Sequence, residues 1–554
     1  MQVLEKYFYT AFDAPDGIKK LRELILTLAM QGKLVPQDSS EQPASELLKE
    51  IEKYKDQLIK DKKIKKSKPL GQIQKNEIPF EIPSNWEWVY LGNITTKLTD
   101  GSHNPPRNSM IGYPMLSSQN VNYGAIDFSK PSRYVSEEDF FKENQRTDVK
   151  SGDVLLTIVA SLGRSAVVPN NAPKFVLQRS VAVISSPIDS DFLSQLFVSS
   201  VCLNYYDTHA KGTAQKGIYL GKLSLMPIPL PPLNEQKRIV EKINQLKALC
   251  DELEKLKDQK ETKKLTVHKS AINQLLDSKD VINSQKGWHF ISNHFNDLYT
   301  VKKNVSELRS AILQLAMQGK LVPQDTNDQP ASELLKEIQR EKKDNKVKSL
   351  EPIKSESIPY GLPNGWQWVY LNDFGIWKSG STPSRTNSAY YGGDIPWVKS
   401  GEVKQGLIKK TEETITQKAL DECSLGLNPI GSVLVAMYGA NIGEVGILEV
   451  EATTNQAICA CQTFSKINNQ FLKFLIDSLK GYFISQGAGA AQPNISRVKI
   501  INSIVPLPPF NEQERIVEKI NQLMALCDDL EKQIDNSSSK QTQLLNAIMS
   551  NLGK

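Results

Sequence analysis

The sequence predicts an α+β chain in which two β-rich mixed globular domains are joined by two long antiparallel coiled-coil connectors, pseudo-twofold and circularly arranged. Three observations carry this. The stretch 21–53, LRELILTLAMQGKLVPQDSSEQPASELLKEIEK, returns at 308–340 with 25 of its 33 positions identical. PLPPLNEQKRIVEKINQLKALCDELEK, at 229–255, returns at 506–532 with 23 of 27 identical. Between these blocks lie short β-branched runs broken by Gly, Pro, Asn and Ser, the texture of strands and turns. Internal repeats fix architecture before any local reading, so every other element is placed against this duplication.

At the N-terminal end, residues 17–31 form an amphipathic pattern through Leu21, Ile25, Leu28 and Ala29 that stops at Gly32. Ser45, followed by Leu47, Leu48 and Ile51, is the expected N-cap of a second helix running into the lysine-rich 60–68. That charge block reads as a solvated helix end and linker. From Ile78 the texture changes. IPFEIPSNWEWVYLG opens the first globular domain and IPYGLPNGWQWVYLN, at 358–372, the second. Strands are expected in 153–160, 176–185, 431–439 and 455–462. One tryptophan of each pair, Trp86/Trp88 and Trp366/Trp368, is expected to anchor a core. The interiors diverge while the frame does not, as in a scaffold presenting two different surfaces.

Each globular domain leaves through P-L-P-P-x-N-E-Q, where the prolines preclude regular helix and Asn234 or Asn511 is the expected N-cap. The helix that follows carries a heptad seam: Ile239, Ile243, Leu246, Cys250 and Leu253 in the first copy, and Ile516, Ile520, Leu523, Cys527, Leu530 and Ile534 in the second. Cys250 and Cys527 are therefore small core residues. The central connector is continuous, whereas its counterpart is split between 511–554 and 1–75, which predicts neighbouring termini. The expected boundaries are 1–77, 78–233, 234–355, 356–510 and 511–554.

Bulk properties exclude little but exclude it clearly. A chain of 554 residues suggests about three or four domain-sized units. The formal charge of +6, from 68 Lys and Arg against 62 Asp and Glu, is compatible with a polyanionic partner without demanding one. Six cysteines without framework spacing fit reduced thiols, and with no secretory leader pattern or membrane-length apolar run the expected location is the cytoplasm.

No signature of catalysis emerges. Asn104-Pro105-Pro106-Arg107 places Arg where an N-P-P-aromatic methyltransferase loop stacks its aromatic, so it reads as a turn. Gly487-Ala488-Gly489 is a lone G-x-G, and no G-x-x-x-x-G-K-[ST] loop is present. Cys459 and Cys461 share a strand face without a second ligand pair, which favours packing over a metal. The five histidines form no catalytic constellation. Side chains able to meet bases and phosphates do cluster in loops. In the first domain these are Thr99, Asp100, Ser102, His103, Asn104 and Arg107, then Arg164, Gln178, Arg179, Lys211, Gln215 and Lys216. In the second they are Ser381, Thr382, Ser384, Arg385, Tyr391, Lys399, Tyr438, Asn441, Asn455 and Gln456.

The paired LR-x-x-IL-x-LAMQGKLVPQD and PLPP-x-NEQ-x-RIVEKI blocks, with LTDGSHNPPR in the first domain and GSTPSR, YGGDIPWVKSGE and TNQAIC in the second, resemble the specificity subunits of type I restriction-modification systems, over essentially the whole chain. The resemblance implies a non-catalytic subunit. Its two target-recognition domains would each read one half of a split, asymmetric duplex sequence, and the coiled coil would set the spacing between the halves. The heptad run from Ile239 to Leu276 is roughly 55 Å long if helical, more than one duplex turn of about 34 Å. The resemblance also implies two modification subunits docked on the helical regions, restriction subunits held through them, and S-adenosylmethionine, ATP and Mg used by those partners, with no cofactor or metal on this chain. Two other readings remain open on the residues alone: a DNA methyltransferase with unrecognised motifs, tested by S-adenosylmethionine binding, and a coiled-coil scaffold for proteins, tested by the salt dependence of duplex binding.

Overall fold

The computed structural model describes residues 9–10, 12–66, 68–212, 215–277, 281–487 and 494–552. Ala488 and Gly489 of the G-x-G stretch, and the middle of the KGTAQKG loop, lie outside them. The chain divides into two compact units, residues 1–258 with 537–554, and residues 259–536. Helices Leu233–Leu276 and Phe510–Leu552 each start in one unit and end in the other.

In the first unit, strand Glu87–Tyr90 enters the globular domain and pairs antiparallel with the exit strand Pro227–Leu230, Glu87 facing Leu230. Between them, a four-stranded sheet runs in the order Lys97–Asp100, Val181–Ser185, Val154–Thr157, Ser165–Val167. A three-stranded sheet, Arg133–Val135, Tyr113–Leu116, Val176–Leu177, stands beside it. The expected strand over 176–185 is thus two strands with Gln178–Ser180 between them, because each end belongs to a different sheet. The second unit repeats the plan. Gln367–Tyr370 pairs with Ile504–Leu507, around a five-stranded sheet led by Gly375–Ser379 and Ile458–Thr463 and a three-stranded sheet centred on Tyr391–Val398.

The repeated blocks are repeated because they build one joint. Glu235, fully buried behind the proline exit, accepts from Trp86 Nε1 at 3.0 Å and from Gln37 Nε2 at 2.6 Å. In the second unit Glu512 accepts from Trp366 Nε1 at 2.9 Å and Gln324 Nε2 at 3.2 Å. Gln236 and Gln513 then cap the next corner, receiving the backbone N–H of Asp189 and of Asn468, each at 3.0 Å. A buried carboxylate is tolerable only with partners of this kind. The K-L-V-P-Q, W and N-E-Q motifs are one hydrogen-bonded lock, made twice. Trp86 and Trp366 are the core members of their pairs, 3% and 4% exposed.

Around the locks the helices pack as their patterns require. Ile239, Ile243 and Cys250 are buried in one core with Ile25, Leu26 and Ala29 of helix Gly17–Met30. Ile516, Ile520 and Cys527 are buried with Ile312 and Ala316 of helix Lys302–Met317, and Leu523, Leu530 and Ile534 flank that core. Burying each such aliphatic contributes about 1.5–3 kcal/mol. Arg22 closes the first pairing on Asp251 and Glu254, and Arg309 closes the second on Asp528. The seam therefore faces, within each unit, the short helix of the other repeated block. Leu246 is only partly buried, and Leu253, expected in the seam, is 42% exposed, between the Asp251 and Glu254 that Arg22 holds. In the first unit Phe12, Ala14 and Leu24 bury against Leu545 and Ile548.

Three caps differ from expectation. Helix Ala44–Lys60 begins one residue before Ser45, with Pro43 at the cap, because the Ala44 N–H is satisfied by Asn85 O at 2.9 Å. Asn234 and Asn511 lie inside the first turn of their helices, since Pro232 and Pro509 already accept helical bonds from Gln236 and Gln513, both at 3.0 Å.

Candidate nucleic-acid interface

Within each globular domain, loops gather where the edge strand of its large sheet crosses the edge strand of its small one. The crossing is too close for a side chain. A Cβ on Gly101 would lie 2.2 Å from Leu177 O, and one on Gly380 2.2 Å from Thr454 O. Ser102 N donates to Leu177 O at 2.7 Å and Ser381 N to Thr454 O at 3.0 Å, while Gln178 N reaches Leu116 O at 2.8 Å and Asn455 N reaches Val398 O at 3.0 Å. By these registers Ser102 corresponds to Ser381, Gln178 to Asn455 and Arg179 to Gln456. The structure thus joins residues that the sequence separates by more than seventy positions.

In the first domain Asp100, largely buried, holds two cationic or polar neighbours. His103 Nε2 lies 2.8 Å from Asp100 Oδ2, and Arg146 bonds the other carboxylate oxygen as well as the Asp100 carbonyl at 3.0 Å. Arg146 comes from the last turn of helix Glu137–Thr147 and is half-exposed. Asn104, Arg107 and Arg179 are exposed, Thr99, Arg164 and Gln178 half-buried, and Ser102 buried. The loop is held from beneath by Arg133, which donates to Pro106 O at 2.6 Å, and Gln178 Nε2 donates to Ser132 Oγ at 2.9 Å. Lys211, Gln215 and Lys216 are exposed on a separate turn, closed by the Lys211 and Gly217 backbones at 2.9 Å.

In the second domain Arg385 lies over the Tyr391 and Trp397 rings, 4.6 and 5.0 Å from their centroids, and donates to Glu413 at 2.5 Å. Lys399 reaches Glu412 at 2.6 Å and Glu413 at 3.2 Å. The bond from Arg385, reinforced by Lys399, holds the Glu413 carboxyl below the usual range. Tyr391 OH donates to Pro383 O at 2.6 Å, Thr382 bonds Gln456, and Ser384 Oγ is 2.8 Å from Thr386 Oγ1. Tyr438, 43% exposed, precedes the turn Gly439–Asn441. The result is an aromatic-backed cation beside exposed amides and hydroxyls, able to bond base edges and phosphates.

Sequence reasoning did not find Arg146, Arg133 or Glu413, whose partners lie far along the chain. Strand register is the only signal. Arg133 faces Met115, and Glu413 faces Trp397, on equivalent strand pairs, so one framework site carries opposite charges in the two domains. Arg164 and Glu444 form a second such exchange, their carbonyls accepting from Thr157 N and Ala436 N at 2.8 and 2.9 Å. Cys459 and Cys461 are buried in the core, where desolvation pushes both thiols up, Cys459 to about 12. Among the described residues no group of His, Cys, Asp and Glu is arranged to hold a metal, and no helix is long and apolar enough to cross a membrane.

One frame built twice, with two electrostatically different polar edges, defines a two-headed recognition protein. The model of the type I restriction modification DNA specificity domain matches residues 83–264 and 363–537, and the chain belongs to that family. It is 33% identical to the Escherichia coli type I restriction enzyme EcoAI specificity subunit over 95% of this chain and 92% of that one. It is 31% identical to the EcoEI specificity subunit, also from Escherichia coli, over 96% and 93%. The crystal structure of the HsdS subunit from Thermoanaerobacter tengcongensis aligns with a TM-score of 0.41 at 18% identity, covering 86% of this chain and 98% of that one.

Proposed function

We propose that this chain is the DNA sequence-recognition subunit of a type I restriction-modification complex, reading a bipartite asymmetric target with one domain, 78–233, on one half and the other, 356–510, on the second. The observation that carries this is the pair of crossings. Identical backbone geometry presents Ser102, Gln178 and Arg179 in one domain and Ser381, Asn455 and Gln456 in the other, and exchanged charges at Arg133 and Glu413 give the two edges different ligands. The remaining candidates, from Thr99, His103 and Arg107 to Arg385, Lys399 and Tyr438, surround those edges.

The segments 1–77, 234–355 and 511–554 serve as connectors, paired antiparallel in a circular arrangement that sets the distance between the readers. Two modification subunits dock on these helical regions and hold the restriction subunits. The exposed Trp288 and Ile282 of helix Val281–Asn293, which line an open cleft of about 790 Å³ with Phe290, suit such a contact. Chemistry, with S-adenosylmethionine, ATP and Mg, belongs to those partners, in the cytoplasm. The test is methylome sequencing of cells carrying this chain with its cognate modification subunit, against cells carrying the modification subunit alone. A methylated split motif that requires this chain is the expected result; no motif despite a demonstrated complex would overturn the proposal.

A further inference from the structure

The two recognition edges differ in one respect that their loops do not reveal. In the second domain an open polar cleft of about 410 Å³ lies next to the crossing, lined by Lys378, Ser379, Gly380, Ser424, Thr454 and Arg497 among others. Gly380 and Thr454 are the crossing itself, so the cleft adjoins the edge that presents Ser381 and Asn455. Lys378 and Arg497 are both exposed, and neither forms an ion pair with a described residue. Arg497, in the first turn of helix Arg497–Ile501, is fixed by donating to Trp377 O at 3.1 Å, on the residue before Lys378. Two unneutralised cations beside hydroxyls form an anion site.

The first domain lacks it. Asp100 faces Ala182 as Ser379 faces Cys459, which matches Thr99 to Lys378. Ile218 N reaches Ile158 O and Ile495 N reaches Met437 O, both at 2.9 Å, which matches Leu220 to Arg497. Both cations are therefore absent, and the carboxylate at the Ser379 position is bonded to Arg146. Helix Gln417–Glu422 is also shorter than its counterpart Glu137–Thr147, so the second domain has no arginine at the end of that helix.

We infer that Lys378 and Arg497 seat a backbone phosphate of the duplex against the second domain only, clamping that half-site while the first domain relies on its loops. The inference rests on the DNA-recognition reading and adds a phosphate contact to it. Contacts to phosphate fix register and orientation without carrying sequence, so loss of this one weakens binding evenly across sequences. Each neutralised phosphate adds about 0.9 to the slope of log affinity against log salt.

The experiment uses the full chain with its modification subunits and a duplex bearing the methylated motif, titrated across salt concentrations. Wild type is compared with K378A, R497K and K378A/R497A, R497K serving as the control that keeps the charge. The double variant should flatten the salt slope by about 0.9, the share of one phosphate, while target preference over a scrambled duplex is kept; R497K should keep the slope of wild type. A methylphosphonate scan of the second half-site should find one position whose penalty in wild type vanishes in the double variant, which separates a backbone phosphate from a free anion. An unchanged slope in both K378A and the double variant, or no such position, overturns the inference. Salt-steep binding that flattens in the variant without preference for the motif would keep the clamp and sink the recognition reading, whereas wild type that binds no duplex would sink both.

Discussion

Glu235 and Glu512 are acids placed where an acid is costly, and their behaviour should be measurable. Burial raises both pKa values, opposed by the bonds from Trp86 and Gln37 and from Trp366 and Gln324. The folded state thus holds the proton more tightly than the unfolded chain. Stability from this group is greatest below the ordinary value near 4.5 and falls as pH rises through the raised one. E235Q keeps an acceptor for Trp86 without the charge, so the stability difference between wild type and E235Q should shift in favour of E235Q from pH 4.5 upward, read from urea midpoints at several pH values. E235A leaves Trp86 Nε1 unpaired and Gln37 with Gly32 O alone, and should cost about 1–3 kcal/mol at any of those pH values. At the recognition edge, Arg385→Ala should alter the methylated motif in one half only, at a cost of about 1–3 kcal/mol for the original half-site. Equal change in both halves would end the idea of independent readers.

At the scale of elements, what the sequence made legible was whatever is local. The helix over 17–31 and its stop at Gly32, the heptads behind N-E-Q, and the core role of Trp86, Trp366, Cys250 and Cys527 all follow from spacing and side-chain type. What escaped depends on partners far away in the chain. Pro43 caps the helix where Ser45 was expected because Asn85 supplies the carbonyl, and Leu253 stays exposed even though Arg22 of the neighbouring helix pairs with Asp251 and Glu254 on either side of it. Nothing local in the sequence marks Gly101 and Gly380, whose need for glycine comes from Leu177 O and Thr454 O across the crossing. Their substitution tests the crossing directly. G101A would force its Cβ against Leu177 O and should impair recognition of the first half-site, leaving the second near wild type, with G380A doing the reverse against Thr454 O. Binding to duplexes mutated in one half or the other would check both.

The whole chain is a frame with two sockets, and each socket is closed at its base by the pairing of entry and exit strands, Glu87 with Leu230 and Gln367 with Leu507. A domain bounded in this way can be moved as a unit. Replacing 367–507 by 87–230 should give a chain with two equal readers, and methylome sequencing should then show a motif whose two halves are the same sequence in inverted orientation. Retention of an asymmetric motif would mean that the connectors, not the domains, carry specificity. The duplication also has a genetic consequence. The blocks at 229–255 and 506–532 begin half a chain length apart, so a crossover between their coding sequences deletes one reader in frame and leaves a gene of half size. Its product keeps one complete lock of the Glu235 type, the residues of the Phe12, Leu24, Leu545 and Ile548 core, and a single reader. With one reader per chain, a two-part target would take two copies of the shortened product, and an asymmetric address would become a palindrome.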